Sequence, residues 1–145
     1  MNDLMIDIET LGLGFNSAIL SIGVVEFNPM TGDTGKEHYW VINPQSCLDI
    51  GMEMNYQTIE WWMTQSDDAR SIFSSINKIS IQQAISNLSK IIGYNTKVWA
   101  NSPSFDLTIL KNACNKLKIE SPKHLHDDMN IEDLMVGHSY FCLIS

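Results

Sequence analysis

Leu4-Met5-Ile6-Asp7-Ile8-Glu9-Thr10-Leu11-Gly12 is the stretch on which the reading of this chain turns. Residues 4–8 form an apolar run with one acid inside it, the pattern of a short strand. Gly12 and Gly14 then supply turn chemistry. Alternate side chains of a strand share a face, so Asp7 and Glu9 point the same way. Burying an ionised carboxylate is costly unless it is paired or bound to a metal, and two like charges on one face repel. A divalent cation between them answers both objections, and hard ions such as Mg²⁺ prefer oxygen donors. The alternative for an isolated Asp-x-Glu is a wet strand end with no role, so the rest of the chain has to decide.

Outward from this run, residues 18–27 are rich in β-formers (Ile19, Leu20, Ile22, Val24, Val25, Phe27). Asn28-Pro29-Met30-Thr31-Gly32-Asp33-Thr34-Gly35 is turn chemistry throughout. His38-Tyr39-Trp40-Val41-Ile42 is the natural hairpin partner, so three antiparallel strands are expected at the N-terminus. Asn43-Pro44 reads as the end of this meander, followed by an irregular polar stretch to about Tyr56. Thr58 is placed to cap a helix carrying Ile59, Trp61, Trp62 and Met63, and Asp67-Asp68-Ala69-Arg70 opens a short helical piece. Ser80-Ile81-Gln82-Gln83 is a capping box. The helix it opens has Ile81, Ala84, Ile85, Leu88, Ile91 and Ile92 at helical spacing and closes at Gly93. Lys97-Val98-Trp99-Ala100 reads as a strand. After Pro103, Ser104 is placed to cap a helix through Leu107, Ile109, Leu110, Ala113 and Leu117, closed by Pro122. Residues 129–136 fit a strand or a helical turn, and 137–145 read as an unfinished end. The order β-β-β-α-β-α predicts an α/β fold with a mixed sheet flanked by helices.

Composition narrows the class. At 145 residues, 44% hydrophobic and 18% charged, the chain is one domain, and neither disordered nor fibrous. It lacks both the roughly 20-residue apolar run of a membrane span and a basic leader. A cytoplasmic protein with no membrane partner is therefore expected. Cys47, Cys114 and Cys142 form no CxxC pair, which argues against structural zinc and a disulfide framework and for inert, buried thiols. Phosphate-loop and dinucleotide motifs are missing. Net charge is −8, but unevenly spread. Residues 1–77 hold 2 Lys and Arg against 11 Asp and Glu, whereas 78–123 hold 7 against 2. A basic stretch beside acidic ones suits a polyanion partner with carboxylates holding cations. A solvated lysine-rich helix face gives the same count.

Two motifs carry a resemblance. Asp7-Ile8-Glu9-Thr10-Leu11-Gly12 follows an apolar strand, and Ser102-Pro103-Ser104-Phe105-Asp106 opens a helix immediately after the strand 97–100. With the tandem Trp61-Trp62 between them, residues 3–122 resemble the DEDD superfamily of 3′–5′ exonucleases. The small phage and bacterial branch of exodeoxyribonuclease VIII-like and exoribonuclease-like domains is the nearest in kind. The resemblance implies a ribonuclease H-like mixed sheet over residues 1–122, with 123–145 an atypical or truncated C-terminal tail of the same domain. It implies divalent-metal-dependent release of nucleoside monophosphates from DNA or RNA by two-metal-ion hydrolysis, using Mg²⁺ or Mn²⁺. Asp7 would bridge both ions, Glu9 hold the first, and Asp106 hold the second through a water. Thr10 and Leu11 would lie under the 3′-terminal nucleotide, with Leu11 as a wedge. Asn101, Ser102 and Phe105 would line the same groove, and Trp61, Trp62 and Trp99 are candidates for stacking on bases, Trp99 being the one expected in the core. The partners implied are single-stranded nucleic acid or the 3′ ends of duplexes. A truncated sheet with an open edge also suits a homodimer.

The superfamily's third motif, H-x-x-x-x-D or Y-x-x-x-D, does not follow Asp106. His124, His126 and His138 are followed at the required spacing by Met129, Ile131 and Leu143, and Tyr140 by Ile144. His124 and Asp128 have the tyrosine-type spacing by coincidence. With neither a fourth carboxylate nor a general-base histidine, one well-bound ion and impaired activity are expected. Three rivals follow: an inactive remnant that binds single strands, a ribonuclease H-type endonuclease, and an interaction module built on the Trp-rich helix.

Overall fold

A computed structural model describes residues 2–118 and 129–130. Five strands form one sheet in the order β3-β2-β1-β4-β5. They are β1 (Asp3–Thr10), β2 (Ile19–Phe27), β3 (Thr34–Val41), β4 (Lys97–Ala100) and β5 (Met129–Asn130). β1, β2 and β3 pair antiparallel, whereas β4 runs parallel to β1 and β5 parallel to β4. This is the mixed sheet expected. Of residues 129–136, which fit a strand or a helical turn, Met129–Asn130 are strand; Pro122, His124, Asp128 and residues 131–145 fall outside the described residues.

The helices are α1 (Pro44–Asp49), α2 (Tyr56–Met63), α3 (Asp67–Arg70) continuing as a 3₁₀ turn (Ser71–Ser74), α4 (Ile81–Ile91) and α5 (Pro103–Lys116). One core joins Ile6 and Ile8 of β1 and Ile22 and Val24 of β2 to Ile85 and Leu88 of α4 and Leu107 and Leu110 of α5. Burial of these aliphatic side chains is the main stabilising term, about 1.5–3 kcal/mol each.

Several boundaries differ from the sequence reading. The first part of the stretch after Asn43 is helical rather than irregular: Asn43 is the N-cap of α1, its side chain accepting from the Gln45 N–H, with Pro44 in the first turn. Proline is tolerated there because that N–H has no helical partner anyway. Asn55, not Thr58, caps α2, accepting from the Thr58 N–H at 3.2 Å. α5 begins at Pro103 with Ser102 in the cap position, ahead of Ser104. Ser80 caps α4 as expected, but the helix ends on Ile92, and the Gly93 N–H turns to the Thr96 hydroxyl at 2.8 Å.

Candidate active site at the carboxyl ends of β1 and β4

β1 alternates cleanly. Leu4, Ile6, Ile8 and Thr10 are buried, whereas Asp7 is half-buried and Glu9 exposed on the other face. Directly across on β2, Asp7 is paired with Gly23 and Glu9 with Ser21. The smallest side chains of β2 thus flank the acids and leave no bulk beside them. The register then slips between Glu9 and Thr10, the kind of bulge that re-aims side chains at the end of a strand.

β4 pairs only with Asp3, Leu4 and Met5 of β1. β1 therefore runs on past the end of β4, and α5 starts at that end. Between β1 and β4 the chain order of the sheet reverses, which is where open α/β sheets form crevices beyond their strand ends. Asp106, in the first turn of α5, is only 4% exposed. Its Oδ2 accepts the Ser102 N–H at 3.4 Å. Burial and then the negative charge of Asp7 push its carboxyl from 3.8 up to about 7, with a lesser push from Glu9, partly offset by the backbone N–H groups of Ser102 and Ile8. Asp7 is raised by burial, and Glu9 by burial and by Asp7. The three acids thus stand within electrostatic reach of one another, on two elements brought together only by the fold.

An all-oxygen, all-carboxylate donor set held against its own repulsion matches what Mg²⁺ or Mn²⁺ takes. As the side chains stand, no three His, Cys, Asp or Glu among the described residues form a closed ligand group.

The remaining predicted residues divide. Asn101 and Ser102 are exposed and Phe105 half-buried at the start of α5. Trp61 is 53% exposed and meets Trp62 edge-on, ring centroids 5.2 Å apart. Trp62 itself is buried, its indole N–H donating to the Thr10 carbonyl at 3.0 Å and its ring edge-on to Phe73. Thr10 is occupied as well, its hydroxyl donating to the Gly12 carbonyl at 2.6 Å. Leu11 lies in the core at 3% exposure. Leu11 and Trp62 therefore present no face for wedging or stacking. The exposed apolar side chains of the β1–β2 loop are instead Leu13 and Phe15, at 82% and 65%, which the sequence reading passed over. Their alternation with Gly12 and Gly14 is the signal that would have found them. Trp99 is buried, its indole donating to Asp3 at 2.8 Å. Cys47 and Cys114 are buried free thiols pushed up by burial; Cys142 lies outside the described residues.

The family model of the 3′–5′ exoribonuclease Rv2179c-like domain matches residues 2–138. The chain belongs to that family. With it comes membership of the DEDD 3′–5′ exonucleases that the two motifs resemble. The chain is 29% identical to the exodeoxyribonuclease of Enterobacteria phage T4 over 128 residues, covering 76% of this chain and 54% of the phage protein. Among solved structures it is similar to exonuclease I of E. coli in complex with a dT13 oligonucleotide. That match has a TM-score of 0.66 and 13% identity, and covers 92% of this chain and 28% of exonuclease I. The complex of the same enzyme with a dA16 oligonucleotide matches equally, at a TM-score of 0.66. This likeness establishes the ribonuclease H-like fold. The chain spans about half the length of the phage relative and under a third of exonuclease I. No described helix is long and apolar enough to cross a membrane.

Proposed function

We propose that this chain is a divalent-cation-dependent 3′–5′ exonuclease acting on single-stranded nucleic acid, or on the 3′ ends of duplexes, and releasing nucleoside monophosphates. The observation that carries the reading is Asp106, a buried acid held against Asp7 and Glu9 with its carboxyl raised to about 7. Folding gains nothing from three uncompensated carboxylates, so the arrangement makes sense as a cation receptor. Asp7, Glu9 and Asp106 would hold Mg²⁺ or Mn²⁺, as the family resemblance implies. Bound there, such an ion supplies Lewis acidity at a phosphoryl oxygen and lowers the pKa of water. The chain's own part is placement. Gly23 and Ser21, across from Asp7 and Glu9 on β2, put no bulky side chain beside the acids. Thr10 and Leu11 form the rigid floor at the end of β1. Asn101, Ser102 and Phe105 line the approach from α5. Trp61, braced by Trp62, offers an exposed ring on which a base can stack. Leu13 and Phe15 would contact the terminal base from the loop above.

The test is a single strand, DNA in one arm and RNA in the other, incubated with Mn²⁺ or Mg²⁺ beside an Asp7→Ala control. A 3′ label should be lost as mononucleotide while a 5′-labelled strand shortens stepwise, and Asp7→Ala should abolish both. Internal cuts would assign an endonuclease instead, and equal activity in Asp7→Ala would overturn the site. A second reading, an inactive remnant that grips single strands, is favoured by the basic balance of residues 78–123. It predicts no turnover and tighter DNA binding by Asp7→Ala as repulsion falls. The homodimer expected from an open sheet edge would use a terminal strand of the sheet, such as the outer side of β3. Light scattering that returns a monomer mass removes it.

A further inference from the structure

Asn112 is a polar residue in the core-facing part of α5, between Ile109 and Ala113, and is itself buried. An amide buried without a partner costs about 1–3 kcal/mol, so its bonding matters. Its Nδ2 donates to the Asn16 Oδ1 at 2.9 Å, across 96 residues of sequence. Asn16 in turn donates its Nδ2 to the Gly51 carbonyl at 2.9 Å, and its backbone carbonyl accepts from the Glu53 N–H at 2.8 Å. The Asn16 side chain is thus engaged at both ends. The loop it sits in is fastened at its other margins too, by Asn55 N–H to the Leu11 carbonyl at 2.7 Å and Ala18 N–H to the Glu53 carbonyl at 2.8 Å.

The two bodies joined by this bridge are the two that carry the acids. The loop begins where β1 ends, directly after Glu9 and Thr10, and α5 carries Asp106 in its first turn. We infer that Asn16 and Asn112 are positioning residues that fix the Asp7–Glu9 pair against Asp106 and so set the affinity of the cation site. The inference rests on the cation-dependent reading above. Neither amide touches the acids; they act by holding α5 in register with the end of β1. A side chain of the same bulk but no amide would fill the space and leave α5 free to shift by the fractions of an ångström that octahedral coordination does not forgive.

The experiment compares the full chain with Asn112→Leu, Asn16→Ala and the double variant. Mn²⁺ titration followed by electron paramagnetic resonance gives the affinity without reference to turnover, and the melting temperature is recorded without added metal. Asn112→Leu should weaken Mn²⁺ binding about tenfold, lower kcat and leave KM unchanged. The double variant should lose less than the sum of the two single losses, because the Asn16–Asn112 bond is common to both, while Asn16→Ala also forfeits its bond to the Gly51 carbonyl. A lowered melting temperature with unchanged Mn²⁺ affinity would make the bridge merely structural and overturn the inference. Independent, additive losses in the double variant would overturn it as well. If the unsubstituted chain itself binds no Mn²⁺, or Asp7→Ala binds it equally well, the cation site fails and the inference with it. That outcome differs from one in which Asn112→Leu alone is silent.

Discussion

Replacing Asp106 with Asn should make the cation-free protein more stable at neutral pH. Its carboxyl is raised from 3.8 to about 7, so the folded chain holds this proton more tightly than the unfolded one does. The sign follows directly. The associated stability is complete below about pH 4 and is lost as pH rises through about 7. The gap between the two values corresponds to about 4 kcal/mol. Asp106 itself is 4% exposed, but the half-buried Asp7 and exposed Glu9 that help raise it are screened by solvent, so that figure is an upper bound. An asparagine removes the charge at every pH, but it introduces an NH₂ that needs an acceptor, at a cost of about 1–3 kcal/mol. The net gain for Asp106→Asn above pH 7 is then up to about 2 kcal/mol, or about 4–8 °C in melting temperature for a chain of this size.

The assay is thermal unfolding across pH 4 to 8, with metal chelated and then with Mn²⁺. Without metal, Asp106→Asn should gain on the parent chain as pH rises and fall level with it or below it near pH 4. With Mn²⁺ the order should reverse. A ligand at a hundred times its dissociation constant adds about 2.7 kcal/mol to the folded state that binds it, and the variant forfeits most of that. A variant less stable by the same amount at every pH would show that Asp106 is an ordinary helix-start residue, and the electrostatic reasoning would fail.

Other substitutions test the frame around the acids. Gly12→Ala would place a Cβ 2.5 Å from the Ser17 Oγ and 3.2 Å from its Cβ, and overpacking of this kind should cost about 1–3 kcal/mol in denaturant unfolding. Gly14→Ala, with nothing within 4 Å of the new Cβ, should stay within about 0.5 kcal/mol of the parent. Trp62→Phe loses the bond to the Thr10 carbonyl and should destabilise by about 1–3 kcal/mol in the same measurement. Trp61→Ala should leave the melting temperature nearly unchanged but weaken binding of a fluorescent single strand about tenfold. Equal binding by that variant would remove Trp61 from the interface.

Much of the fold was legible because its elements obey local rules. β1 shows the period of two, α4 shows the helical period behind a capping serine, and 28–33 is turn chemistry, though β3 starts at Thr34, inside the stretch read as turn to Gly35. Where local rules compete, the reading slipped. Asn43-Pro44 serves equally as a strand terminator and as the cap and first residue of a helix. The tertiary bonds from the Ile81 N–H to the Ser46 hydroxyl, at 2.9 Å, and from the Asn43 N–H to the Ile79 carbonyl, at 2.8 Å, show α1 docked against the start of α4. Gly93 was a reasonable helix stop. Among the described glycines, however, only Gly32 and Gly51 take a positive φ, and α4 ends by turning Gly93 toward Thr96 instead.

The acids were legible for a different reason from the residues around them. Charge inside an apolar strand is anomalous wherever the strand ends up, so Asp7 and Glu9 stand out in the sequence itself. The fate of Leu11 and Trp62 depends on how segment 51–55 docks beside the β1–β2 loop. Asn55 ties to the Leu11 carbonyl and Trp62 to the Thr10 carbonyl, and these two bonds join the end of β1 to the tryptophan helix. An aromatic pair at adjacent helical positions cannot present both rings to one side, since neighbours lie about 100° apart around the axis. One ring had to go inward, and the ring that did is the one whose N–H meets the strand that carries the acids. Trp61 is left as the exposed member, held at a fixed remove from Glu9 by a buried ring and a single hydrogen bond. A loss of strand binding in Trp62→Phe beyond its loss of stability would therefore report on Trp61's placement rather than on any contact of Trp62 with substrate.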